Sequence, residues 1–445
     1  MHSTNQHVQH FIQGVCKEVR FKSIHEHITR ELLDHIEDQK NKYIDQGIDE
    51  ETANLKAVEQ MGDPAIVGKQ LDKTHRPKTD WSILSMAAIL VVLGGLFQYI
   101  FSGVNKYSIN MFSDFLQYAP IGIAAFAIMY FFDYRWLGRY SKVAYFVVFV
   151  IAAAGFLTSS KINGTYQHVY YTTLICIPLF AGIIYGFRNK GYLGIVFSGL
   201  FYAGVALLCI SAPSFSALAL LTISCLIILT VAIAKGFFGG NKKLSYVLVY
   251  VPTFLLSILA NFIAKSRNPY LVERIVERIT MIFNPVQDPS GSWYQLFMVR
   301  KLVSAARPIG MATLEDKIET IGIDRILPMW STDLLLTYII ARFGYISGIA
   351  VIVLLLILIF RMFVSVLKQK NAYGFLVSFA ACLALTGQIV LYVLANIGVM
   401  APMSVTLPFV SFGGIGFLVN IVLLGLILSV YRRTDVVHER LPSNL

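Results

Sequence analysis

From Trp81 onward the chain alternates long apolar runs with short polar breaks. A helix needs about 17–25 apolar residues to cross the hydrocarbon core of a bilayer. Ten runs are long enough, at 82–101, 113–132, 141–158, 169–187, 192–211, 216–234, 246–264, 334–360, 373–399 and 414–431. Residues 1–80 follow a different pattern. Ile24, Ile28, Leu32, Leu33 and Ile36 recur at helical spacing, with Glu31, Asp34, Glu37 and Asp38 on the other faces. Gly47 stops that helix. Asp49-Glu50-Glu51 places acid at the start of a second, where the helix dipole favours it, and Asp63-Pro64 opens a third. The expected fold is all-α: a three-helix cytoplasmic domain over 1–80, a ten-span membrane domain over 81–433 and a cytoplasmic tail over 434–445.

Composition agrees with a polytopic membrane protein. Of 445 residues 56% are hydrophobic and only 14% charged, against about 25% charged in soluble domains. The net charge of +11 divides unevenly, −3 over 1–80 and +14 beyond. The basic residues are dispersed between the apolar runs, which reports loop orientation and not nucleic-acid binding. One set of loops carries Arg135, Arg139 and Lys142, then Arg188 and Lys190, then Lys235, Lys242 and Lys243, then Arg361, Lys368 and Lys370, then Arg432 and Arg433. The alternate short loops carry Lys106, Lys161 and then no cation. The positive-inside rule therefore puts both termini in the cytoplasm and the long loop 265–332 outside. Four of the five cysteines lie in apolar runs without CxxC spacing and read as small buried hydrophobes. Seven of the nine histidines fall in 1–80, but no closed metal-ligand set is visible.

The loop 265–332, with Asp333 at its end, is where chemistry is expected. Eight of the twelve acidic residues after Trp81 lie between Glu273 and Asp333. A loop of this length is functional or disordered, and this one carries helical patterns. Leu271, Ile275, Ile279 and Ile282 oppose Arg274, Glu277 and Arg278, and a second run spans 294–306. Such helices are expected to lie on the outer membrane surface. Asp333 meets the apolar run at Leu334. Desolvation raises the proton affinity of a carboxylate at such a boundary, which suits a general base. A plain helix cap by Thr332 or Asp333 accounts for the same position. Gln98, Asn261, Gln388, Asn396 and Asn420 sit within spans, either lining a cavity or bonding neighbouring helices.

Several segments resemble the SEDS family of peptidoglycan polymerases, the FtsW, RodA and SpoVE type. Arg278-Ile279, Asn284-Pro285, Asp288, Gly291 and Tyr294-Gln295 resemble its R-I…F-x-P…D…G-x-x-Y-Q segment. Leu327-Pro328 and Thr332-Asp333 resemble L-P-E-x-x-T-D, followed by Gly344 and Gly348. Gln388, Asn396-Ile397-Gly398 and the run from Thr406 through Ser411, Gly413 and Gly414 resemble Q…N-I-G…T-L-P-F-I-S-Y-G-G. Residues 31–35 and 57–64 resemble a helical prefix domain of Gram-positive membrane proteins, which implies a regulatory or docking role toward a cytoplasmic partner and no chemistry.

The resemblance implies lipid II glycosyltransfer on the outer face of the bacterial cytoplasmic membrane, in elongation, division or sporulation. The donor is a glycan on undecaprenyl diphosphate, and a class B penicillin-binding protein is the expected transpeptidase partner. Asp333 corresponds to the family's catalytic aspartate. Arg278, and less closely Arg300, Lys301, Arg307, Lys317 and Arg325, would neutralise the diphosphate, a role a divalent cation could share. Tyr294, Gln295, Gln388, Asn396, Ser411, Gly413 and Gly414 would line the substrate site. The chain departs from the pattern in several places. Met329 replaces the glutamate after Leu-Pro, and Ala341-Arg342 replaces an acidic pair. The first outer motif, at Gly164, lacks its tryptophan, and Pro213-Ser214-Phe215 lacks its acid. A non-catalytic scaffold is the alternative these departures raise, and a lipid-linked precursor transporter is a second alternative.

Overall fold

The computed structural model describes residues 2–75, 77–103, 110–159, 166–212, 214–267, 294–313, 322–411 and 414–434. Contacts divide the chain into two compact units, one over Met1–Thr79 and one over Asp80–Tyr431.

The first unit has four α-helices among its described residues, one more than the sequence pattern predicts. They are α1 (His2–Glu18), α2 (His25–Asp45), α3 (Glu50–Gln60) and α4 (Pro64–His75). The extra helix supplies Phe11 and Val15 to a core completed by Ile24, Ile28, Leu32, Ile36 and Ala57. Its apolar spacing is weak among His and Gln residues, so only the core it completes reveals it. Asp49 caps α3 by accepting from the Thr52 amide at 3.0 Å.

The second unit is a polytopic membrane domain, all-α over its described residues. Its spans are α5 (Trp81–Phe101), α6 (Met111–Phe131), α7 (Tyr134–Thr158), α8 (Gln167–Gly186), α9 (Gly191–Ser211), α10 (Phe215–Ala234) and α11 (Lys242–Arg267). After the short helices α12 (Tyr294–Ser304), α13 (Ile323–Ile326) and α14 (Leu335–Phe343) come α15 (Tyr345–Leu367), α16 (Ala372–Asn396) and α17 (Gly414–Arg432). Among the described residues ten helices are long and apolar enough to cross a membrane. Helix α8 is apolar on every face and 78% buried, as a central helix must be. It packs on α7, α9, α10 and α16. Helices α6 and α11, at 11%, stand at the periphery.

The eighth span differs from its sequence reading. The run 334–360 is not one helix. It breaks at Gly344 (φ 100°, ψ 163°), leaving α14 as a separate buried helix before α15 crosses. Only glycine adopts that backbone region without strain. A Cβ on Gly344 would stand 2.5 Å from the Pro308 carbonyl oxygen. The segment 305–313 lies along the break and supplies what the helix ends leave unbonded. The Tyr345 amide donates to Arg307 O at 2.9 Å, Gly310 N to Phe343 O at 3.0 Å, and Ala312 N to Ala341 O at 2.8 Å. Gly344→Ala should therefore cost about 3 kcal/mol, from backbone strain and overpacking together. Thermal unfolding of the purified chain measures this, and an unchanged midpoint would contradict the close approach.

Helix α12 also departs from expectation. Met298, Val299 and Leu302 join the core of the spans, Leu296 is buried, and the helix packs on α14, so it is docked into the body and not laid on a membrane surface. Arg342 is likewise not inside a span. It ends α14, exposed, with its guanidinium 3.5 Å from Met311 Sδ. At the far end of α5, Asp80 caps the helix through the amides of Ser82 and Ile83, and Arg361 of α15 stands 3.5 Å away. Burial pushes the Asp80 carboxyl up, but the Ser82 hydroxyl, the Ile83 amide and Arg361 outweigh it and hold its pKa below the ordinary value.

Candidate active site

Asp333 lies in the tight turn that leads into α14, and it is buried, at 7% exposure. The turn is closed by the Leu334 amide donating to Met329 O at 3.0 Å. Met329 itself adopts φ 52°. The N-cap of the helix is Leu334, which contributes no side-chain cap. The capping reading for Thr332 or Asp333 is thus not what the structure shows. The first-turn amides of α14 are satisfied from another helix. Leu336 N donates to the Tyr392 hydroxyl at 3.2 Å and Thr337 N to Asn396 Oδ1 at 3.0 Å, both from α16.

Asn396 is the hub of this arrangement and is fully buried. Its Oδ1 also accepts from the Thr337 hydroxyl at 3.0 Å. Its Nδ2 donates to the backbone carbonyl of Asp333 at 2.9 Å and to Tyr392 O at 3.0 Å. The partners fix the amide orientation, because the Thr337 amide can only donate and the two carbonyls can only accept. The carboxylate stands close enough to the buried hydroxyls of Tyr170, Tyr171 and Tyr392 for its charge to act on each. Among the described residues the Tyr170 hydroxyl has no hydrogen-bond partner, and neither does Gln388 Oε1. Gln388 Nε2 donates to Thr406 O at 2.9 Å, and the Tyr171 hydroxyl lies 3.3 Å from Thr406 Oγ1. The segment 405–411 is pressed against α5, where a Cβ on Gly94 would meet Val410 O at 2.7 Å. Its Phe409 is buried with φ 69°, a conformation non-glycine residues rarely hold.

The structure thus brings Asp333, Asn396, Gln388 and the Thr406–Ser411 segment onto the faces of α8, α14 and α16. Ser411 donates to Leu407 O at 3.2 Å, and a Cβ on Gly414 would overlap the Tyr118 ring, so these two shape the loop. Arg300 joins through its Nε, which donates to Gly398 O at 2.7 Å, two residues beyond Asn396. Tyr294 instead ties α12 to the end of α13, its hydroxyl donating to Ile326 O at 2.9 Å. Gln295 is half-buried on α12, and Lys301 lies over the Phe297 ring at 6.0 Å. Arg307 donates to Thr313 Oγ1 at 2.7 Å, exposed, and Arg325 is exposed on α13. Arg278, Lys317 and Gly413, with the 270–283 pattern and residues 164–165 of the first outer motif, lie outside the described residues. Sequence reasoning missed Tyr170, Tyr171, Thr337 and Tyr392. A tyrosine in an apolar run gives no signal until its neighbours are known. Among the described residues no three His, Cys, Asp or Glu side chains gather.

The family model described as "Cell cycle protein", FtsW/RodA/SpoVE, matches residues 187–436, more than half of the chain. The chain belongs to the FtsW/RodA/SpoVE family. Most of the assembled site, from Asp333 through Asn396 to Gly414, falls inside the family match, whereas Tyr170 and Tyr171 precede it. A probable peptidoglycan glycosyltransferase FtsW of Wigglesworthia glossinidia brevipalpis is 30% identical over 36% of this chain and 41% of its own. Stage V sporulation protein E of Bacillus subtilis is 29% identical over 35% and 42%. The chain spans about half the length of the curated relatives it matches. A solved chain of a peptidoglycan synthase complex that coordinates polymerization and crosslinking shares the fold, with TM-score 0.61 at 19% identity over 80% of this chain and 98% of that one.

Proposed function

We propose that this protein polymerises lipid II into glycan strands at the outer face of the bacterial cytoplasmic membrane, with both termini cytoplasmic. The observation that carries this is the buried Asp333 carboxylate, set by a turn whose backbone Asn396 holds, with the Tyr170 hydroxyl and Gln388 Oε1 unpaired among the described residues. Buried polar groups without partners are costly, and here Tyr170 and Gln388 are those that a bound sugar would satisfy. In the reaction the 4-hydroxyl oxygen of the incoming lipid II sugar forms a bond to the anomeric carbon of the growing glycan. The bond from that carbon to the diphosphate oxygen breaks with inversion, and its electron pair leaves on undecaprenyl diphosphate. Asp333 takes the hydroxyl proton as general base. Arg300, held at the Gly398 carbonyl, is the described cation best placed to offset the leaving charge, with Arg278, Lys301, Arg307, Lys317 and Arg325 as further candidates.

A class B penicillin-binding protein as transpeptidase partner and a cytoplasmic partner for the first unit belong to the same reading. The test is direct. The full chain, reconstituted in vesicles with lipid II alone, should yield glycan strands that grow with time, and no strands with or without an added transpeptidase would reject it. Met329 favours a second reading as a non-catalytic scaffold, since it is 40% exposed where the family pattern has glutamate. That reading expects no strands from the wild type under any pairing.

A further inference from the structure

A cavity of about 290 Å³ opens sideways between α9, α10 and α11, away from Asp333 and its neighbours. Ile195, Gly199, Tyr202, Leu229, Val249 and Pro252 are among its walls. It is of the size of a small-ligand site, but its chemistry excludes a polar ligand. The Tyr202 hydroxyl already pairs with Thr222 at 3.0 Å, and the Thr253 hydroxyl donates to Val249 O at 2.7 Å. What remains is hydrocarbon surface within membrane spans, so its occupant is hydrocarbon.

The end of this slot is distinctive. Its walls begin at Ile195, about one turn into α9, and close to the corresponding ends of α10 and α11. Two loops meet there and are bonded together: Asn189 N donates to Phe237 O at 2.8 Å, and Asn241 N to the Tyr192 hydroxyl at 2.8 Å. They carry Arg188 and Lys190 from one side and Lys235, Lys242 and Lys243 from the other. The sequence has no Asp or Glu between Asp133 and Glu273, so neither loop brings a carboxylate. The contacts these lysines make are with rings and a carbonyl. Lys190 lies over Phe187 at 5.3 Å, Lys235 over Phe375 at 4.2 Å, and Lys242 donates to Ala234 O at 3.1 Å. Lys243 is exposed.

We propose that this crevice binds an anionic diacyl phospholipid, with one acyl chain in the slot and the phosphate headgroup on the lysine rim. Charge complementarity chooses the occupant: a rim whose two loops carry cations and no acids favours an anionic headgroup over a zwitterionic one. General attraction of basic loops to an anionic leaflet needs no slot, so the two are separable by filling it. A Cβ on Gly199 would meet nothing within 4 Å, so Gly199→Leu adds its side chain where there is room.

The full chain is extracted from vesicles of equal phosphatidylglycerol and phosphatidylcholine, and the lipids it retains are counted by native mass spectrometry. The wild type should keep phosphatidylglycerol in preference. Lys242→Gln with Lys243→Gln should lower that retention by about fivefold for each lysine removed. Gly199→Leu should lower it with the rim intact, and unfolding of that variant is checked by its melting midpoint, with Ala203→Val as the milder substitute. Equal retention of the two lipids, or undiminished phosphatidylglycerol in the slot-filled variant that remains folded, overturns the site. Displacement of phosphatidylglycerol by equimolar undecaprenyl phosphate also overturns it, assigning the slot to a polyprenyl tail.

Discussion

Asp333→Asn should abolish strand polymerisation while leaving the protein folded. The substitution keeps the size of the side chain and removes only its capacity to accept a proton at the attacking hydroxyl. Loss of a general base costs about 10²–10⁴-fold. The turn should survive, because Asn396 holds it by the Asp333 backbone carbonyl and not by the carboxylate. Strand yield from lipid II and the melting midpoint are measured on the same preparation. Polymerisation at the wild-type rate would remove Asp333 from the chemistry. A large fall in melting midpoint would show that the carboxylate supports the fold instead.

Asn396→Leu should do the reverse and unfold the site before it touches any chemistry. The leucine is close in volume but bonds nothing. It strands the Thr337 amide and the Asp333 carbonyl in a fully buried place, while the Thr337 hydroxyl keeps the backbone carbonyl of residue 396. Each stranded buried group costs about 1–3 kcal/mol, and the losses share one network, so a total of about 3–5 kcal/mol is expected. The melting midpoint should fall and polymerisation should be lost with it. Asn396→Asp sharpens the test. It keeps the acceptor for Thr337 but sets an oxygen against the Asp333 and Tyr392 carbonyls, so it too should fail. Wild-type melting in both variants would mean that α14 does not depend on this hub.

The Asp333 region shows how far the sequence could be read. The Thr332-Asp333 and Asn396-Ile397-Gly398 matches pointed to residues that the fold brings together, though they are 63 positions apart. The long loop before them was expected to carry cations toward the same place. Of those, Arg300 meets the Gly398 turn, whereas Arg307 and Arg325 are exposed. A basic side chain's place depends on how α12 and α13 dock, which no local spacing encodes. Tyr294 illustrates the same point, since its hydroxyl bonds the Ile326 carbonyl and ties two short helices together.

Hydrophobic length by itself determined the ten spans. In hydrocarbon a backbone must bond to itself, and an apolar run of sufficient length has one economical way to do so. The basic residues between the runs lead to an expected orientation without reference to any contact. The tertiary structure alone decided that the run 334–360 is two helices. Hydropathy does not register the break, because Leu335 through Ala341 are as apolar as a membrane span. They are apolar because protein surrounds them, and the broken backbone at Gly344 is stable because segment 305–313 bonds its open ends. The same holds for the start of α14, whose cap comes from Tyr392 and Asn396 on a distant helix. Such bonds between remote positions are what turn a carboxylate at the edge of an apolar run into a fixed, buried group.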